Sequence, residues 1–184
     1  TPHMGNWDLA SVPCCQRGLP VFSIAAQQRN PLTNDYFNKI RSTPGLETLI
    51  RGGSTMKRVV DNLKAGKLLV ILPDARMKSP DIELDFLSGK ANLGKGMAFF
   101  ARKTGVPVFP VVCSRIGWTQ HKLEYLDPIY PDPDLDKKAD IERITRLIIE
   151  MMDKAIKEQP EQWFWYNKRW VLDTVELPQQ DQRI

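Results

Sequence analysis

His3 stands five residues before Asp8 in the run His3-Met4-Gly5-Asn6-Trp7-Asp8, right after Pro2. A histidine changes charge near neutral pH, and a carboxylate that fixes its tautomer turns it into a general base for a hydroxyl or a water. On an unbroken helix, residues five apart point about 140° away from each other, so the two side chains cannot share a face. His3 is therefore expected in a loop, with Asn6 as N-cap and Asp8 in the first helical turn, reaching back to the imidazole. A surface turn would carry the same hexapeptide for no chemical reason, so the pair must be judged by the rest of the chain.

Other reactive combinations are weaker. Gly89, Gly94 and Lys95 have the G-x4-G-K spacing of a phosphate loop, but Gly96 stands where a hydroxyl would hold magnesium. Nucleotide hydrolysis is set aside, while a helix N-terminus beside Lys95 still suits an anion. Gly52-Gly53-Ser54 begins like a nucleophile elbow, yet Met56 replaces its last glycine, and Ser54 reads better as an N-cap. Cys14 and Cys15 read as small buried hydrophobes rather than nucleophiles. His3, His121 and the three cysteines have no zinc-ligand spacing, so no metal site is expected.

Three cysteines make no disulfide framework, which fits a reducing compartment. With 184 residues and 42% hydrophobic content the chain can bury one substantial core. A net charge of +4 and a pI near 9.0 favour anionic partners: phosphorylated lipid, an acidic carrier protein or nucleic acid. There is no signal-peptide pattern and no run near the roughly 18 apolar residues of a membrane span. The chain starts on the His3 segment without an initiator Met, so upstream residues, including an anchor, are expected to be missing.

The elements that must position these residues follow from spacing and turn chemistry. Pro13 must end or kink the first short helix. Val21–Ala25 reads as a buried strand followed by Arg29, Asn30 and Pro31; residues 35–41 look helical, and Leu46–Ile50 is a short apolar piece ending at Arg51. A helix capped by Ser54 carries Met56, Val59, Val60 and Leu63 and stops at Gly66. Leu68–Leu72 is apolar throughout, as a parallel strand covered on both faces would be, and runs into Pro73 and Asp74. Open parallel sheets place ligands beyond such strand ends, which makes Asp74 a second site position.

Residues 82–87 alternate with acids as an outer strand. A helix follows from Gly94 or Gly96 to Thr104. Residues 106–113 form a strand interrupted by Pro107 and Pro110, with 123–126 beside it. The longest helix, residues 139–158, carries Ile141, Ile144, Ile148, Met151 and Ala155 along one stripe. The tail Trp163-Phe164-Trp165-Tyr166-Asn167-Lys168-Arg169-Trp170 suits a membrane interface or single-stranded nucleic acid, or closes the core as an aromatic lid. The β, α, β, α, β order indicates α/β layers.

In order and spacing the chain resembles the lipid A biosynthesis acyltransferases, the lauroyl and myristoyl transferases related to glycerol-phosphate acyltransferases. The resemblance rests on His3 to Asp8, Asn30-Pro31, Arg51-Gly52, Leu72-Pro73-Asp74, Thr104-Gly105-Val106-Pro107-Val108-Phe109-Pro110, Pro160-Glu161-Gln162-Trp163 and Arg169-Trp170. It implies an α/β, glycerol-phosphate acyltransferase-like layered fold with a mostly parallel central sheet flanked by helices. Residues 1–172 would form the acyltransferase domain, N-terminally incomplete, and 173–184 a C-terminal tail.

The implied reaction moves a fatty acyl chain from an acyl carrier protein thioester to a hydroxyl of a lipid A precursor. His3 would act as base and Asp8 as its orienter, with no covalent intermediate and no cofactor beyond the thioester co-substrate. Arg29, Asn30, Arg41, Arg51, Asp74, Arg76, Lys95 and Gly96 are the expected substrate-binding residues. Oxyanion donors are left open between backbone amides at 94–96 and Arg41, Arg51 or Arg76. Ala75 and the Lys95-Gly96 step depart from the family pattern, and both bear on the acceptor.

The partners implied are acyl carrier protein, a phosphorylated glycolipid and a membrane surface rather than nucleic acid. The place implied is the cytoplasmic face of a bacterial inner membrane, peripheral or anchored by the missing segment. Transfer to glycerol-phosphate or another glycolipid, and a silent membrane- or carrier-binding module, are the alternatives.

Overall fold

A computed structural model of the chain describes residues 1–77 and 82–165. Val21–Ala25 (β1), Glu47–Ile50 (β2) and Leu68–Val70 (β3) form a parallel sheet in the order β2-β1-β3, with Phe22 opposite both Glu47 and Leu69. Parallel neighbours need crossovers, and these are the helices Pro31–Ser42 (α2) and Thr55–Lys64 (α3). Two antiparallel hairpins follow: Glu83–Phe86 (β4) with Gly89–Asn92 (β5), and Val111–Arg115 (β6) with His121–Tyr125 (β7). Val12–Gln16 (α1), Gly96–Thr104 (α4) and Lys137–Glu158 (α5) complete an α/β layered fold whose largest sheet is parallel.

Several local expectations shift. Pro13 does not end the first helix: Trp7–Leu9 is a 3-10 turn, and Pro13 lies at the start of α1, where its missing N–H breaks no helical bond. Asn6 makes no side-chain cap bond there. Helix α2 begins at Pro31 rather than residue 35, because Asn30 Oδ1 accepts from the amides of Leu32 (2.9 Å) and Thr33 (3.4 Å). Ser54 is not a side-chain cap either; Thr55 Oγ1 accepts from Gly52 N at 2.7 Å and donates to the Ile50 carbonyl. Strand β3 stops at Val70, and its residues are half-buried or exposed rather than covered on both faces. Pro107 and Pro110 delay β6 to Val111, leaving Val108 in a lone bridge to Ile129.

Two apolar clusters hold these layers. Phe22 and Leu49 of the parallel sheet pack with Val59 and Leu63 of α3 and Phe100 of α4. The larger cluster sets the inward faces of β4 and β5 against Ile144, Ile148, Ile149, Met152 and Ile156 of α5. The buried stripe of α5 therefore runs through Ile149, Met152 and Ile156, one position beyond the expected Met151 and Ala155, which are half-buried. Met4 and Trp163 belong to this same cluster, so the segments on either side of His3 are anchored in the core. At the start of α5, Asp140 is fully buried and takes Arg143 at 2.7 Å and Arg102 at 3.3 Å, which ties α4 to α5. Among the described residues no helix is long and apolar enough to cross a membrane.

Candidate active site

The parallel strands all leave the sheet at one edge, and Asp74 lies beyond that end of β3, four residues past Val70. The His3 segment is laid across this point by backbone bonds. Thr1 N donates to the Ile71 carbonyl (3.1 Å), Gly5 N to the Gln162 carbonyl (2.9 Å) and Phe164 N to the His3 carbonyl (2.8 Å). Met4 and Trp163 form the antiparallel bridge between the two segments. Gly5 has φ +58°, and a Cβ there would lie 2.3 Å from the Cys113 carbonyl oxygen, so only glycine lets the loop settle on β6. Gln162 closes the other side: its Oε1 accepts from Arg115 N (2.7 Å) and its Nε2 donates to the Arg115 carbonyl (3.1 Å).

The carboxylate that meets His3 is Asp74, not Asp8. The Nδ1 of His3 is 2.6 Å from Asp74 Oδ1, and the His3 backbone N–H donates to Asp74 Oδ2, also at 2.6 Å. Trp163 Nε1 donates to that same Oδ2 at 2.9 Å. Asp74 is 1% exposed. Burial alone would push its carboxyl up, but the hydrogen bond and charge of His3, the Trp163 indole and the His3 amide outweigh it and hold Asp74 below the usual carboxylate range. An ionised carboxylate only accepts, so the proton of the ring contact sits on Nδ1, and the tautomer this selects for the uncharged ring is the one with its lone pair on Nε2. Trp7 and Phe164 flank the imidazole, with ring centroids 5.2 Å and 6.4 Å from it.

Asp8 turns the other way. Its carboxylate lies 3.5 Å from Arg41 on α2, and both side chains are partly solvated. A 3-10 turn rather than an α-helix carries Asp8, and the expected reach back to His3 is replaced by the Arg41 contact. Of the other expected residues, Asn30 caps α2, and Arg29 and Arg51 are exposed on segments leaving the β1 and β2 ends of the same sheet edge. Arg76 pairs through its backbone with Leu93, and Lys95 and Gly96 start α4. Lys95 lines an open cavity of about 870 Å³ with Phe99 and Lys137, whose walls include neither His3 nor Asp74. Lys168, Arg169 and Trp170, expected near head groups, and the 173–184 tail lie outside the described residues.

Trp163 as a donor to Asp74 was not expected from the sequence. The available signal was its place in Pro160-Glu161-Gln162-Trp163, a polar step before a large aromatic, which marks a turn but names no partner. Asp74 itself was visible as a strand-end acid, without its partner.

A loop-borne imidazole held by a buried carboxylate at the carboxyl edge of parallel strands defines an α/β domain that places its polar site where such sheets take ligands. The chain belongs to the bacterial lipid A biosynthesis acyltransferase family, whose profile matches residues 1–171. It is 24% identical over 177 residues to a phosphatidylinositol mannoside acyltransferase of Mycolicibacterium smegmatis, a match covering 94% of this chain and 56% of that protein. It is 23% identical over 180 residues to the phosphatidylinositol mannoside acyltransferase of Mycobacterium tuberculosis, covering 95% and 54%. The chain thus spans about half the length of these relatives.

Proposed function

We propose that this protein is an O-acyltransferase that moves a fatty acyl group from a thioester to a hydroxyl of a phosphorylated membrane glycolipid. His3 Nε2 takes the proton of the acceptor hydroxyl as its oxygen attacks the thioester carbonyl. The tetrahedral intermediate then expels the thiolate, which takes that proton back from the His3 imidazolium as the ester forms. Asp74 holds the Nδ1 proton and stabilises the imidazolium that appears during attack; general-base help of this kind is worth about 10² to 10⁴ in rate. The observation that carries the reading is the bidentate hold of Asp74 on the ring and amide of His3, at 2.6 Å each. The Asp8–Arg41 pair supports a separate role for Asp8, fixing a guanidinium for the acceptor phosphate.

The relatives carry names that specify a mannosylated phosphoinositide acceptor, which favours another glycolipid over a lipid A precursor. An acyl carrier protein thioester is the proposed donor, and the cytoplasmic face of the inner membrane the proposed place of action. The test supplies acyl carrier protein and coenzyme A thioesters with phosphatidylinositol mannoside, a lipid A precursor and glycerol-phosphate, and reads products by mass spectrometry. An acylated mannoside absent with His3→Ala is the expected result. Acylation of the lipid A precursor alone would overturn the choice of acceptor, and equal product from wild type and His3→Ala would overturn the mechanism.

A further inference from the structure

Strand β6 has one edge paired with β7 and the other turned toward the His3 segment. Arg115 lies opposite His121 in the hairpin, yet its amide and its carbonyl both bond the side chain of Gln162. In an antiparallel pair every second residue sends its backbone groups outward in this way, and an outward edge needs a partner. Two residues back, the Cys113 carbonyl stands against Gly5, and the Cys113 Sγ donates to the Asn6 carbonyl at 3.3 Å. The edge that would take a further strand is therefore covered by the His3 segment at one point and by a glutamine side chain at the next.

That side chain copies a peptide group. Gln162 Oε1 accepts from Arg115 N at 2.7 Å, and Nε2 donates to the Arg115 carbonyl at 3.1 Å and to Gln159 Oε1 at 2.7 Å. Both amide hydrogens are used, and a flipped amide would set like against like at Arg115. The main chain of the same region faces the site. The Gln162 carbonyl accepts from Gly5 N at 2.9 Å, Trp163 Nε1 donates to Asp74, and Phe164 N donates to the His3 carbonyl. Gln162 thus joins β6 to the segments that hold both members of the His3–Asp74 pair.

We propose that Gln162 is a positioning residue for the acyl transfer: its side chain takes the register of β6, and its main chain passes that register to His3 and Trp163. The inference rests on the acyl-transfer reading and names what holds His3 Nε2 at the acceptor hydroxyl. Asp74 comes from the parallel sheet, whose strands pair with neither strand of the β6–β7 hairpin. Asp74 sets His3 against the first of these units, and Gln162 sets it against the second. A displacement of about 1 Å at a reacting group costs about 10²-fold in rate, so loss of this hold reaches turnover.

Gln162→Met and Gln162→Glu test it. Met keeps the length and loses every polar bond of the side chain. Glu keeps the acceptor for Arg115 N and sets a carboxylate oxygen against the Arg115 carbonyl. Both should lower kcat about 10- to 100-fold, Glu more than Met, with acceptor KM within about threefold of wild type. Amide hydrogen exchange without substrate should be at least about tenfold faster at Gly5 in both variants, with the amides of α3 unchanged as the check on folding.

Wild-type kcat in either variant would overturn the proposal, as would a rise in KM that accounts for the whole loss in kcat/KM. So would exchange that quickens equally at Gly5 and throughout α3, because Gln162 would then support the fold as a whole and not the His3 segment. Failure of the acyl-transfer reading shows elsewhere, as equal product from wild type and His3→Ala. Exchange at Gly5 is read without turnover, so the two failures are distinguishable.

Discussion

Asp74 grips His3 twice, accepting from its backbone N–H through one carboxylate oxygen and facing its ring Nδ1 with the other, both at 2.6 Å. One carboxylate therefore sets both where the imidazole sits and which nitrogen carries the proton. Asp74→Asn should lower turnover by about 10² to 10⁴ with little change in acceptor KM. An amide can donate to Nδ1 and stabilise the wrong tautomer while keeping the shape. Steady-state kinetics on the folded variant check this, and an Asp74→Asn enzyme with wild-type kcat would remove Asp74 from the mechanism.

Trp163→Phe isolates the third bond to Asp74. The phenyl ring keeps most of the contact with Phe86, whose centroid is 5.9 Å from that of Trp163, but removes the donor to Oδ2. Hydrogen bonds to charged groups contribute about 1.5 to 3 kcal/mol, so chemical denaturation should show a loss in that range. Turnover should fall less than with Asp74→Asn, since the His3 ring keeps its partner.

Asp8 and Arg41 should behave as a unit separate from His3. Their contact is 3.5 Å and partly solvated, so a double-mutant cycle on stability should give a coupling below about 1 kcal/mol. On activity, Asp8→Asn and Arg41→Gln should raise acceptor KM together and non-additively, with kcat much less affected than by Asp74→Asn. A collapse of kcat in Asp8→Asn alone would return Asp8 to the base.

The depressed Asp74 carboxyl predicts a sign for acid stability. A group whose folded-state pKa is lowered contributes stability that is full above its unfolded value, close to 3.8, and disappears as pH falls through the lower folded-state value. Wild type should therefore lose stability more steeply than Asp74→Asn below about pH 4. Parallel curves for the two proteins across that window would show that Asp74 is not held ionised by its partners.

Gly5→Ala tests the seat of the loop. The substitution meets a backbone carbonyl and a left-handed φ of +58° at once, neither of which a side-chain rotation relieves. A stability loss of at least about 1 to 3 kcal/mol is expected, with activity falling as the His3 segment shifts. Thermal unfolding with kinetics at permissive temperature measures both.

Local order in the chain was enough for β1, the alternation of β4, the span of α4 and the length of α5, because each rests on period, propensity and turn residues within a short window. The same local reading made His3 a base and Asp74 a strand-end acid, and its ordered motifs pointed to the right family. It paired His3 with Asp8 because only neighbours in sequence can be compared without a fold.

The true pairing spans 71 residues and exists because a parallel crossover carries the end of β3 under a loop that Met4, Gly5 and the 162–164 segment pin to the core. Trp163 is farther still from Asp74, 89 residues along the chain. Sequence alone determined which side chains could do acid–base chemistry. Tertiary structure decided which of the two nearby acids, Asp8 or Asp74, is desolvated against His3 and which faces Arg41, because burial and a second and third hydrogen bond are properties of the packed site and not of either residue.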